Sequence, residues 1–186
     1  MTWAEETMAN APTMKIIETK FDGHRFRSRT EARWAVFFKT AGIEYEYERA
    51  GLVLDGKPYL PDFWLPKMKL WLEVKGADPT PEEYKLCELL AAATGYGVML
   101  AVGAPEPKEQ IHWYPPKPDY MDGCRYYIAD DRRNDNEFWL MSDDPSGFSI
   151  GPEYGPNHMK EPLVHSASKA GYEAAKAARF EHGEEG

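Results

Sequence analysis

Asp62 is followed eleven positions later by Glu73, and Glu73 two positions later by Lys75. Alternate side chains of an extended strand share a face, so Glu73 and Lys75 project from one side of Leu70–Lys75 together with Trp71. Leu70, Leu72 and Val74 turn to the other side. A strand this apolar belongs inside a sheet, where an unpaired carboxylate or ammonium costs several kcal/mol. A divalent cation would account for both charges. Asp62 and Glu73 supply the hard oxygen ligands that magnesium takes, with positions left over for water and phosphate. Lys75 is then placed to hold or deprotonate an attacking water and to steady charge on the phosphate under attack. Glu31 is the fourth candidate. Trp34, Ala35 and Phe38 follow it at i+3, i+4 and i+7, which sets its carboxylate on the inward face of a helix. From there it can reach the same metal, or a second one roughly 4 Å away.

Each residue also has a plainer reading. Glu31 completes a capping box with Ser28, Asp62 follows a proline as turn residues do, and Glu73 with Lys75 can be a same-face ion pair. What separates the chemical reading from these is the set of four, in helix–strand–strand order.

The elements that must position them are legible. Ser28-Arg29-Thr30-Glu31 opens a helix from Arg29 to Ala41, which Gly42 ends. Ile43–Arg49, Leu60–Leu65 and Leu70–Lys75 read as strands, the last two separated by a turn at Pro66–Lys69. Thr80-Pro81-Glu82-Glu83 starts a second helix that runs to about Ala93 and stops at Gly95, and Val98–Val102 is a buried strand. A helix between two strands makes them parallel, so the class is α/β, built in layers. Before this core, residues 1–13 read as a flexible start, Met14–Thr19 as an extended piece and Asp22-Gly23 as a turn. The core occupies 14–103, and a small β-rich C-terminal extension with loops occupies 104–165. Its strands are Gln110–Tyr114, Arg125–Ala129, Glu137–Ser142 and Phe148–Ile150, while Gly151–Pro162 reads as loop. Residues 166–186 give a closing helix, Ser166–Phe180, and a frayed tail.

Glu31 in an early helix, Pro61-Asp62, then Glu73-Val74-Lys75 ahead of a helix and a strand, resembles the PD-(D/E)XK nuclease superfamily. The resemblance covers about Phe21–Val102 and is closest in style to small stand-alone phage and mobile-element nucleases. It implies a restriction-endonuclease-like core, a central mixed β-sheet flanked by helices, that hydrolyses DNA phosphodiesters with Mg²⁺ or Mn²⁺. It makes Asp62, Glu73 and the Val74 carbonyl metal ligands, Lys75 the group that positions water, and Glu31 an auxiliary acidic residue. The expected activity is a magnesium-dependent endo- or exodeoxyribonuclease serving recombination, repair, replication or restriction. The alternative is a non-cleaving nuclease-fold protein that binds DNA or a protein, for instance in anti-defence. Tyr84 and Lys85 stand where RecB-type members carry Gln and Tyr, so that subgroup is not assigned.

Composition narrows the classes further. The chain has 186 residues and a net charge of −9, divided as −2 over residues 1–102 and −7 over 103–186. The acidity counts against nonspecific coating of DNA, whereas Met14–Lys39 is locally basic. Arg25, Arg27 and Arg29, ahead of the helix that bears Glu31, are the expected nucleic-acid contacts, since guanidinium groups and helix N-termini both bind phosphate. Their alternative is a solvated basic turn. Trp64 and Trp71 could stack on bases or pack in the core. Lys169, Lys176 and Arg179 in the closing helix could touch nucleic acid or cap the fold, and capping is the preferred reading. Cys87 and Cys124 stand apart from any Cys/His cluster, which excludes a zinc or iron–sulfur framework; Cys87 reads as a small core residue and Cys124 as a loop thiol. No apolar run spans a membrane and no secretory pattern opens the chain, so a cytoplasmic protein is expected. A homodimer, and a protein partner at the acidic C-terminal region, are both compatible with the sequence.

Overall fold

The computed structural model describes residues 19–107, 111–114, 125–130, 138–141, 148–151, 155–158 and 166–180. The readings of residues 1–18, of Cys124 and of the tail beyond 180 fall outside these residues. The chain opens on a hairpin, β1 (Thr19–Phe21) and β2 (His24–Phe26), turned by Asp22 and Gly23 at φ 49° and 81°. Two successive left-handed residues give a tight turn whose twist matches that of its strands. Ser28 then caps α1 (Arg29–Ala41): its Oγ accepts from the Glu31 amide at 3.1 Å. Gly42, at φ 77°, closes the helix in the left-handed region.

The strand after α1 is shorter than its alternation of Tyr and Glu suggests: β3 is only Glu46–Tyr47. Glu48 stops it by turning into the left-handed region at φ 48° and donating its amide to the Asp62 carbonyl at 2.9 Å. A second hairpin follows, β4 (Leu52–Leu54) and β5 (Lys57–Tyr59), turned by Asp55-Gly56 at φ 47° and 74°. Then come β6 (Phe63–Leu65), β7 (Leu70–Lys75), α2 (Pro81–Thr94) and β8 (Gly97–Val102). Thr80 and Glu83 form the reciprocal capping box at the start of α2. β9 (Ile111–Tyr114), β10 (Arg125–Asp130), β11 (Phe138–Met141), β12 (Phe148–Gly151), β13 (Gly155–His158) and α3 (Ser166–Ala177) complete the chain.

One mixed sheet organises these elements, in the order β13-β12-β11-β10-β9-β8-β7-β6-β3. β7 and β8 are parallel, with α2 as the crossover, and the other pairs in the sheet are antiparallel. The β-rich extension is thus a continuation of the central sheet, added to the free edge of β8. The stretch 151–162, read as loop from its Pro and Gly content, contributes β13. The closing helix ends at Ala177, three residues early, although Phe180 beyond it is fully buried.

Alternation along β6–β9 divides the core between the two faces. Leu70, Leu72, Val74, Met99 and Ala101 meet α1 and α3 through Trp34, Phe38 and Tyr172. On the opposite face Trp64, Trp71, Val98 and Leu100 meet α2 through Cys87, Leu90 and Ala91, and Leu54 of the hairpin joins them. Each fully buried Leu or Phe of this kind contributes roughly 1.5–3 kcal/mol. Gly97 is required where it stands, since a Cβ there would lie 1.9 Å from the Trp113 ring. Among the described residues no helix is long and apolar enough to cross a membrane.

Candidate active site

β7 delivers Glu73 and Lys75 to the face covered by α2, and the short β6 leaves Asp62 at its entrance, directly beside Glu73. The Asp62 amide donates to Glu73 Oε1 at 3.2 Å, and the Val74 amide donates to Asp62 Oδ2 at 2.8 Å. Each carboxylate is therefore tied to the other's strand. Asp62 is 5% exposed and Glu73 2%. Burial, joined by the charge of Asp62, pushes the Glu73 carboxyl up to about 8, against the opposing pull of the Tyr59 hydroxyl and Lys75. Asp62 is pushed up to about 6, again by burial first, with the Glu31 charge adding to it and the Val74 amide and Arg27 opposing it. Two carboxylates side by side in an apolar setting resist ionising together.

Lys75 stands 3.9 Å from Glu73 Oε2 and 3.4 Å from Glu83 Oε1. Burial favours its neutral form, but the charges of Glu73, Asp62 and Glu83 prevail and hold the ammonium above its ordinary pKa. It is a cation poised beside the carboxylate pair. Glu83 is a residue that sequence reasoning assigned only to helix capping. It does cap α2, and its carboxylate also steadies Lys75.

Glu31 reaches the network from the opposite side. It belongs to α1, on the other face of the sheet from Glu73, with Asp62 at the strand entrance between them. Its Oε1 accepts from Ser28 Oγ at 2.7 Å, and its Oε2 accepts from the Tyr47 hydroxyl at 2.7 Å and the Arg27 amide at 3.3 Å. Arg27 is the bridge. Its Nη2 donates to Asp62 Oδ1 at 2.7 Å and its Nε pairs with Glu48 Oε1 at 2.8 Å, with about half of the side chain exposed. Of the three arginines expected at phosphate, then, Arg27 is engaged by carboxylates, while Arg25 and Arg29 are exposed on β2 and α1. Trp64 and Trp71 are both buried against α2 and offer no face for stacking on a base. Tyr47, Glu48 and Tyr59 are site residues that the sequence did not single out.

The donor set suits a small hard cation. Val74 directs its amide toward Asp62, and in a strand the carbonyl of the same residue points to the same side. Lys75, one residue on, directs its carbonyl to the Gly103 amide on the β8 side, at 2.7 Å. Asp62, Glu73 and the Val74 carbonyl thus converge at the open end of β6. Among the described residues no group of three or more His, Cys, Asp or Glu side chains is arranged to hold a metal. Magnesium commonly takes only one or two carboxylates and keeps several waters, so two carboxylates and a carbonyl fit it. Glu31 is already engaged by three donors on the α1 side.

The sequence matches no family model, no curated protein and no solved structure.

Proposed function

We propose that this protein is a metal-dependent deoxyribonuclease of the PD-(D/E)XK type, with a restriction-endonuclease-like core. The observation that carries the reading is the Asp62–Glu73 pair, two buried carboxylates that resist ionising together, with the Lys75 ammonium beside them. Left alone, such a pair costs stability; a divalent cation at the strand entrance compensates both charges. Asp62, Glu73 and the Val74 carbonyl are the residues that would hold Mg²⁺ or Mn²⁺. Bound there, the ion supplies Lewis acidity toward a phosphate oxygen and lowers the pKa of a water.

The chain's own groups divide the remaining work. Lys75, held cationic by its three acidic neighbours, orients the attacking water and balances negative charge on the phosphate. Glu83 keeps the ammonium in place from α2. Tyr59 fixes the Glu73 carboxyl through its hydroxyl. Glu31 acts as a positioning residue: through Tyr47 and the Arg27 amide it ties α1 and β3 to the segment that leads into the site.

One observation favours a second reading, a non-cleaving nuclease-fold binding protein. Arg27 already places a cation on Asp62 Oδ1 and could serve permanently where a metal would otherwise sit. Cleavage separates the two. The purified protein is incubated with supercoiled plasmid, linear duplex, single-stranded and four-way-junction DNA, in Mg²⁺, Mn²⁺ or chelator. Asp62→Ala and Lys75→Ala are run alongside. Metal-dependent cutting that both substitutions abolish is expected. Cutting that survives both overturns the assignment, and DNA binding without any cutting favours the second reading.

A further inference from the structure

A half-open groove of about 680 Å³ lies between α1, the loop 104–107 and α3. Its cationic lining is Arg33 from α1 and Lys169 and Lys176 from α3, against the carboxylates of Glu106 and Glu173. The lining therefore carries a net positive charge in a chain whose net charge is −9. Among the described residues, the Arg33 Nε is buried without a hydrogen-bond partner. A guanidinium N–H taken out of water is costly unless an acceptor meets it, and Arg33 is one of the residues that line the groove.

The walls are fixed. Tyr172 packs on Phe37 with the rings tilted by 37° and their centroids 4.5 Å apart, and a Cβ added at Gly171 would lie 2.8 Å from the same ring, so α3 is seated closely on α1. Lys169, Tyr172 and Lys176 recur at i, i+3 and i+7, which puts both ammonium groups on the same face as the packed tyrosine. Arg29 lies one turn before Arg33 on the same face of α1 and extends the basic stripe.

One residue links the groove wall to β7, on the α1–α3 face of the sheet, opposite the face that carries the Glu73 and Lys75 side chains. Gly103 donates its amide to the Lys75 carbonyl at 2.7 Å and accepts from Trp34 Nε1 at 3.0 Å, and the next four residues form the groove wall. We infer that this groove binds phosphate groups of a nucleic-acid strand beyond the one under attack. Arg33 offers a planar fork suited to phosphate, the two lysines offer point charges, and Pro105 and Pro107 present an apolar wall to the sugar. The size fits a nucleotide rather than a lone anion. The identity of the strand rests on the nuclease reading; the phosphate chemistry does not.

The test is binding in chelator, where no cutting intervenes. Labelled duplex and single-stranded oligonucleotides are titrated by anisotropy, and inorganic phosphate and a nucleoside monophosphate by calorimetry. Wild type is compared with the double variant Lys169→Glu/Lys176→Glu and with Glu173→Lys. Both lysines and Glu173 are exposed, so the variants spare the core. The double variant is expected to weaken oligonucleotide binding by at least about tenfold at low salt and to flatten its salt dependence by roughly one per lysine. Glu173→Lys is expected to tighten it, a gain that misfolding cannot mimic. Phosphate or mononucleotide binding that is lost in the double variant, with oligonucleotide binding unchanged, keeps the phosphate site but overturns the nucleic-acid source. Unchanged binding of every probe across the variants, or none to wild type, overturns the inference altogether. A protein that binds through these residues yet never cuts DNA refutes the nuclease reading alone. One that cuts while the double variant binds normally refutes the groove alone.

Discussion

Replacing Glu73 by Gln should flatten the dependence of stability on pH. The carboxyl is 2% exposed and held up at about 8, whereas glutamate in an unfolded chain titrates near 4.5. The folded protein binds this proton more tightly than the unfolded chain does. Its stabilisation is therefore complete below the ordinary glutamate pKa and disappears as the pH rises through about 8. Between pH 6 and 9 the loss amounts to about 2–3 kcal/mol, on the scale of 1.36 kcal/mol for each tenfold change in proton affinity. Asp62, held near 6, has lost most of its own contribution before that window opens. The assay is urea unfolding in chelator at several pH values, for wild type and Glu73→Gln. Wild type should lose that stability across the window and the variant should lose much less. The two should be closest at pH 6, where the wild-type carboxyl is still protonated and resembles the amide. Adding Mg²⁺ should restore wild type at pH 9 and leave the variant largely unmoved. Equal pH dependence in the two proteins would refute the claim that Glu73 is a strained buried carboxylate.

Three further outcomes follow from particular contacts. Gly97→Ala, which drives a methyl into Trp113, should cost at least about 2 kcal/mol in thermal or urea unfolding. Tyr47→Phe removes the 2.7 Å donor from Glu31 and should cost about 1–2 kcal/mol, with cutting reduced but not abolished if Glu31 is a positioning residue. Arg27→Gln takes the guanidinium off Asp62 Oδ1 and should tighten Mn²⁺ binding severalfold in calorimetry. If binding weakens instead, Arg27 does not compete with the ion.

The parts of this fold that sequence discloses are those set by local chemistry. Ser28 and Thr80 mark helix starts because their hydroxyls satisfy amides within the first turn, and Gly42 and Gly95 mark helix ends because they accept positive φ. Leu70–Lys75 is readable because a period of two separates a core face from a charged one. The Asp55-Gly56 hairpin carried an equally local signal, obscured by Pro58 and by flanking runs of only three residues. Partners across the fold are another matter. That Asp62 and Glu73 share an environment follows from neighbouring strands. That Glu31 meets Arg27 and Tyr47, from the opposite face, depends on how α1 sits on the sheet, which no spacing encodes. Arg27 illustrates the same limit: a basic turn advertises phosphate binding, yet its guanidinium is taken up by Asp62 and Glu48. The pairing of Lys75 with Glu83 likewise needs the angle at which α2 returns over β7.

The most direct test of the account measures metal binding and DNA cleavage side by side in Lys75→Met and Asp62→Asn. If Asp62 helps hold the ion and Lys75 acts on the water and phosphate, Lys75→Met binds Mn²⁺ within severalfold of wild type while its cleavage falls by about 10²–10⁴. Asp62→Asn then loses binding and cleavage together. Wild-type cutting by Lys75→Met, or metal-dependent cutting that persists in Asp62→Asn, would contradict it.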